Sequence, residues 1–274
     1  MMLWKIREAF GGEIPADVVI TFANTGKERE ETLDFVHEIE RRWGITVHWV
    51  EYVRVPGKPV VEWRGEQAVI GCHGFRTVTY ETASRRGEPF EQLIEVKAEY
   101  RREVKELPAV LPNPVQRFCT GELKQRTMDR FLESIGFEDY TIAIGLRADE
   151  PKRVAKLKGI DTQSKTHVAP LAQAGLTVKD VTEFWNAQPF DLRLENHPEW
   201  GTYEGNCDFC FLKSQGKIKL LAEKYPAGLD WWADMEEKTG QTFRKDRASF
   251  KEIRDGRVAL KMCDDSQDTC FCTD

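Results

Sequence analysis

At 274 residues, with 41% hydrophobic and 31% charged side chains, the chain is long enough to bury a sizeable core unaided, and its composition excludes a disordered or fibrous protein. No run reaches the ~18 apolar residues that a membrane span requires, and the start MMLWKIREAF lacks the layout of a signal peptide, so a cytoplasmic address is the expectation. A net charge of −6 argues against a broadly basic nucleic-acid binder; nucleic acid is a partner that charge does not indicate, although a local positive cleft is compatible with it.

Residues 3–10 read as a short helix. Residues 17–23 (DVVITFA) form a nearly continuous apolar, β-branched run, the pattern of a strand buried on both faces of a parallel sheet. NTGKEREETLDFVHEIERRWG opens with turn formers, sets Leu33, Val36, Ile39 and Trp43 at helical spacing and stops at Gly44. ITVHWVEY at 45–52 is a second strand, completing a β-α-β unit and predicting a layered α/β domain. Residues 56–89 have weak periodicity and read as loops or short irregular strands. Residues 91–106 make a charged helix with a solvated face, and LPAVLPNP at 107–114, with three prolines, is a loop. A helix at 120–134, a third buried strand at 140–146 (YTIAIGL) and a short helix at 178–186 follow. Beyond residue 201 the chain is rich in Cys, Trp and charge, with helices at 214–224 and 228–238. There Trp231, Trp232 and Met235, at helical spacing, read as core rather than as a stacking platform.

Seven cysteines, Cys72, Cys119, Cys207, Cys210, Cys263, Cys270 and Cys272, form an odd set with five in the last third. Without a secretory signal, such clustering suggests metal or redox chemistry before structural disulfides. Cys207 and Cys210, in GNCDFCFLK, make a C-x-x-C whose thiolates can face one metal from a turn that Gly205 and Asn206 allow. Spacing does not choose among a redox dithiol, zinc, an iron–sulfur site and a purely structural pair. A redox dithiol would normally follow a strand, whereas this motif follows the loop HPEWGTYEGN; a zinc ribbon would want a second C-x-x-C, which the sequence lacks. Cys119, in RFCTGELKQ, sits at a loop-to-helix junction, where free amides and the helix dipole stabilise a thiolate. His73 and His167 have no third partner at a spacing that would make a Cys-His nucleophile.

Four motifs in order, FANTGKEREETLDF (22–35), RFCT-x-ELK (117–124), IGLRADEPKR (144–153) and GNCDFCFLK (205–213), together resemble the phosphoadenosine phosphosulfate reductase family, a branch of the PP-loop ATP-pyrophosphatase-like superfamily. The family's D-T-G and E-T elements are matched by Asn24-Thr25-Gly26 and Glu31-Thr32. The resemblance implies an α/β fold, a mostly parallel twisted sheet flanked by helices of the adenine nucleotide alpha hydrolase-like kind. It divides the chain into a nucleotide-binding domain at 1–200 and a small, Cys-rich, helical region at 201–274 that completes a cluster site.

The adenosine-phosphosulfate-reducing members of that family hold a 4Fe-4S iron-sulfur cluster on a Cys-Cys pair and a distant C-x-x-C. Here Thr120 follows Cys119, so the resemblance implies three ligands, Cys119, Cys207 and Cys210. The fourth is expected from the tail, Cys272 ahead of Cys270 and Cys263, unless the fourth iron is open as in sulfur-inserting relatives. Asn24, Thr25, Gly26, Arg147 and Arg153 are the implied nucleotide-binding residues, the first three because a strand-to-helix turn offers amides to a phosphate or sulfate, and Arg147 because it ends a strand where open sheets place ligands. Lys124 and Lys213 would add positive charge to the same pocket.

The implied reaction is sulfonucleotide reduction or sulfur transfer, with an adenine nucleotide or sulfonucleotide as substrate and a thiol or other electron donor. In the reductase version Cys270 attacks the sulfonyl sulfur while Arg147 and Lys124 stabilise the anionic charge. The alternatives are ATP- and magnesium-dependent sulfur insertion into nucleic acid, of thiolation or phosphorothioation type, and a non-catalytic nucleotide-binding relative. Two departures stand out: the superfamily's S-G-G-x-x-S phosphate loop has no counterpart, and the ending CFCTD is not the usual reductase ending. The first predicts either a reading frame that begins short of that loop or a chain that has lost the ATP-type site.

Overall fold

The computed structural model describes residues 1–55, 60–63, 66–68, 72–103, 105–157, 159–197 and 201–258, with the backbone alone at 60–63, 66–68, 72, 196–197 and 201. Helix α1 (Met2–Ala9) leads into strand β1 (Thr21–Asn24), helix α2 (Glu30–Trp43) and strand β2 (His48–Val55). α2 carries Glu30 and Glu31 in its first turn and Arg41 and Arg42 in its last, each complementing the helix dipole, and it ends at Gly44 in the left-handed conformation. It buries Leu33 and Trp43 and returns the chain so that β2 runs parallel to β1, pairing Thr21 with His48 through Asn24 with Glu51. The expected β-α-β unit is therefore present.

Two short strands, β3 (Val60–Trp63) and β4 (Glu66–Ala68), make an antiparallel pair, and β5 (Cys72–Val78) then joins the main sheet. β5 runs antiparallel to β2 over seven residue pairs, from Trp49 with Val78 to Val55 with Cys72, giving a mixed sheet of order β1-β2-β5. A mostly parallel sheet was expected, with its next strand at 140–146. That segment supplies β6 (Tyr140–Ala143), which pairs in parallel with β7 (Lys165–Val168) in a separate two-stranded sheet. Its apolar run suggested burial on both faces, yet Thr141 and Ala143 are exposed, so β6 is covered on one side alone. The third strand of the main sheet comes instead from the weakly periodic region 56–89.

Helix α3 (Glu88–Glu103) is more deeply packed than its charge suggested, burying Phe90, Leu93, Ile94, Val96 and Ala98 beneath a charged outer face. A π-helical turn (Thr120–Gln125) feeds α4 (Arg126–Ser134). After β6 come α5 (Pro151–Leu157), β7, α6 (Pro170–Gln173) and α7 (Val178–Asn186), the last begun by a reciprocal Thr177–Asp180 cap. A two-residue pair, β8 (Asn196–His197) and β9 (Gly201–Thr202), precedes α8 (Gln215–Lys224), α9 (Leu229–Thr239) and α10 (Phe250–Arg254).

The main core runs across residue 200. Tyr52 of β2, Phe90, Leu93 and Ile94 of α3, and Leu123 of the π-helical turn pack with Phe209, Phe211, Leu221, Trp232, Phe243 and Phe250. Trp232 and Met235 are core, as their spacing predicted. A second cluster covers the other side of the sheet with Leu33, Val47, Trp49 and Ala83. Among the described residues, no helix is long and apolar enough to cross a membrane.

Candidate functional site

The site begins where β1 ends. Asn24 is fully buried; its Nδ2 donates to Glu51 Oε1 (2.6 Å) and to the Ser84 carbonyl (2.8 Å), while its Oδ1 accepts the Gly26 amide (3.1 Å). The Thr25 amide and hydroxyl both donate to the Glu28 carboxylate, at 2.8 and 2.9 Å, and the Lys27 amide donates to Thr25 Oγ1 at 3.3 Å. Gly26 has φ +75°, and a Cβ there would come within 3.0 Å of the Gly87 amide and of Pro89, so the turn requires glycine.

This turn docks onto the C-x-x-C loop. Glu28 and Cys207 form an antiparallel bridge, the Asp208 amide donates to the Lys27 carbonyl (2.7 Å), and Lys27 Nζ pairs with Asp208 (2.9 Å). Asp208 also accepts from Trp232 Nε1 at 2.8 Å, tying the loop to the core. Thr25 Oγ1 lies 3.7 Å from Cys207 Sγ. The loop turns at Asn206 (φ 62°) and closes with the Cys210 amide donating to the Cys207 carbonyl (3.2 Å), anchored by the buried Phe209 and Phe211. Lys213 points inward, donating to the Gly205 and Cys207 carbonyls, and Arg247 donates to the carbonyls of Lys213 (2.6 Å) and Phe211 (2.8 Å).

Cys119 caps the π-helical turn and reaches the same pocket. Burial and then neighbouring Cys210 push its thiol up to about 11. Burial, then Glu28 and Cys210, push Cys207 well above the ordinary thiol range, with Lys124 opposing and Cys119 adding to the rise. The three thiols are thus close enough to act on one another. The helix-start thiolate expected at Cys119 is corrected: removal from water outweighs the partial charge of a helix end and favours the neutral thiol. Lys124 Nζ stands 3.9 Å from Glu28, beside the trio.

Among the described residues, no three His, Cys, Asp or Glu side chains stand as a set that could hold one metal ion. A single zinc needs its thiolates gathered on one atom, whereas a cubane gives each thiolate its own iron and spaces them more widely. In donor chemistry, three thiols and no imidazole suit an iron–sulfur group. Cys263, Cys270 and Cys272 lie outside the described residues, and with them the tail nucleophile and the fourth ligand.

At the turn expected to offer amides to a phosphate or sulfate, the Thr25, Gly26 and Lys27 amides donate to Glu28, Asn24 Oδ1 and Thr25 Oγ1. Arg147 is taken up by its own loop, donating to Asp149 (2.9 Å) with Glu150 at 3.5 Å, and Arg153 pairs with Glu150 as well. Lys213 is likewise engaged by the Gly205 and Cys207 carbonyls. Glu28, Lys27 and Asp208 carry the docking of the turn onto the cysteine loop and were missed, because a charged residue near a turn ordinarily faces solvent and nothing local distinguishes these three.

Fold and site together define a mixed α/β protein in which half-buried Cys119 and Cys207 and buried Cys210 lie near the C-terminal end of a parallel strand pair. The chain is similar to an uncharacterized nin region protein, ORF290, of Escherichia phage lambda, 30% identical over 210 residues that make up 76% of this chain and 60% of that protein. It thus spans less than two thirds of that relative's length. No family model and no solved structure matches the chain.

Proposed function

We propose that the chain is an iron–sulfur protein resembling the phosphoadenosine phosphosulfate reductase family, acting in sulfonucleotide reduction or sulfur transfer on an adenine nucleotide or sulfonucleotide bound beside the cluster. One observation carries the reading: Cys119, Cys207 and Cys210, from distant parts of the chain, pack against one core and lie within electrostatic reach of one another, with Cys207 beside Thr25 at the end of β1. Those three cysteines would hold the cluster, with a tail cysteine as the candidate fourth ligand. When bound, the group would tune the local field around the substrate.

The chain's own residues set up the pocket. Lys213 and Arg247 hold the carbonyls of the C-x-x-C loop, and the turn at 24–28 closes one wall through Thr25 and Glu28. Neutral thiols must lose their protons to ligate, so loading releases protons. Lys124, one-fifth exposed at the edge of the pocket, offers an ammonium to an incoming sulfate or phosphate group.

Anaerobic purification followed by iron, acid-labile sulfide and zinc analysis tests the reading. About four irons and four sulfides per chain are expected, with Cys119→Ser, Cys207→Ser and Cys210→Ser each lowering the iron content of folded protein. A chain that carries zinc without sulfide, or iron unaffected by these three substitutions, refutes it.

A further inference from the structure

A second charged centre lies one turn beyond Cys119. Glu122, 2% exposed, receives three cations: Arg126 on Oε1, Arg130 on Oε2 at 3.2 Å, and Lys97 of α3 at 3.7 Å from Oε1. Among the described residues Glu122 is the one carboxylate that pairs with these three, leaving two positive charges over. His73 of β5, hydrogen-bonded to Tyr52 Oη at 2.9 Å, borders the group. Burial first, then Lys97, Arg130 and Arg126 against the opposite pull of Glu122, bring its pKa to about 4, so at neutral pH it adds no charge. Of the two carboxylates on α4, Asp129 is occupied by Lys165 (2.8 Å) and Tyr140 (2.5 Å), and Glu133 is exposed.

Two facts show that Glu122 does not exhaust this cluster. Arg130 Nη1 is buried and meets no acceptor among the described residues, and a buried donor left unmatched is costly. Arg126 is 64% exposed at its side chain while Lys97 and Arg130 are 28% and 24% exposed, so the cluster opens to solvent on one side.

We propose that Lys97, Arg126 and Arg130 form a binding site for a tetrahedral dianion, a phosphate or sulfate group. A dianion matches the two uncompensated charges, and guanidinium forks with an adjacent ammonium suit its oxygens. The site uses none of the three cysteines and does not depend on what they hold. Its ligand is either the free inorganic ion or a phosphomonoester on a larger molecule.

The test is calorimetric titration of the full chain, at constant ionic strength in chloride, with inorganic sulfate, inorganic phosphate and glycerol 3-phosphate, alongside NMR of the histidine ring signals. Saturable binding is expected, with the His73 resonances shifting along the same curve and affinity falling about tenfold or more in Arg126→Gln and Lys97→Gln, the loss typical of one charge-assisted contact. Arg126 is exposed enough that its substitution leaves the fold intact. Tighter binding of glycerol 3-phosphate assigns the site to phosphomonoesters, and equal or tighter binding of the inorganic ions assigns it to them. No binding above chloride, or binding that neither variant weakens, overturns the proposal.

Discussion

Glu51→Gln probes the link between the sheet and the cysteine loop. Glu51 is fully buried on β2 and accepts from Asn24 Nδ2 and the Ser84 amide on Oε1, both at 2.6 Å. Its Oε2 accepts from Ser84 Oγ (2.9 Å) and from Arg76 Nη2 (2.6 Å) and Nε (3.0 Å). A glutamine must present an NH2 to one of these two sets of donors. Turned toward Asn24, it leaves the Ser84 amide without its acceptor. Turned toward Arg76, it sets donor against donor, a lesser loss because that guanidinium is 47% exposed and can reach water. An unmatched buried group costs about 1–3 kcal/mol, and losing the charge weakens the remaining bonds, so a destabilisation of about 3 kcal/mol is expected. For a chain of this size that is a fall in Tm of about 6–12 °C. Asn24 also holds the Gly26 amide, so on the proposed cluster reading the folded variant should retain less iron as well. Urea denaturation of the two proteins with matched m values gives the energy; a change below about 1 kcal/mol would mean that the network does not support the turn.

Gly87 has φ +89°, and a Cβ there would fall 2.5 Å from Trp231 Nε1 and 2.7 Å from Cε2; Gly87→Ala should therefore cost about 2–4 kcal/mol in chemical denaturation, and a neutral effect would show that the Trp231 side chain gives way. Trp232→Ala removes a fully buried ring at the centre of the core that crosses residue 200; a loss of about 3–5 kcal/mol in a single transition is expected, whereas separate unfolding of a C-terminal unit would contradict a shared core. His73 titrates in the fold at about 4 against an ordinary 6.5, so the unfolded chain takes the proton more readily and stability falls as pH drops from 6.5 towards 4. His73→Gln should flatten the stability curve in that window relative to the parent, and parallel curves would reject the assignment.

Much of the local structure was legible in the residues. Leu33, Val36, Ile39 and Trp43 repeat at helical spacing before Gly44, and α2 ends at that glycine in the conformation it permits best; 178–186 is a helix as its pattern predicted. The C-x-x-C at Cys207 and Cys210 was visible as a turn, and Cys119 as its nearest upstream companion. Such features depend on a few consecutive side chains and on backbone sterics, which the order of residues alone determines.

Pairing and burial are decided by partners far along the chain. The antiparallel seat of β5 beside β2, and the departure of β6 to a sheet of its own, are pairings between segments distant in the chain. The amides at 24–28 were readable as an anion cradle until Asn24 and Glu28 folded back on them. Cys119 was readable as a thiolate until the surrounding core removed it from water. In each case a group's hydrogen-bonding and charge state depends on how much solvent its neighbours displace, and those neighbours come together only in the folded chain.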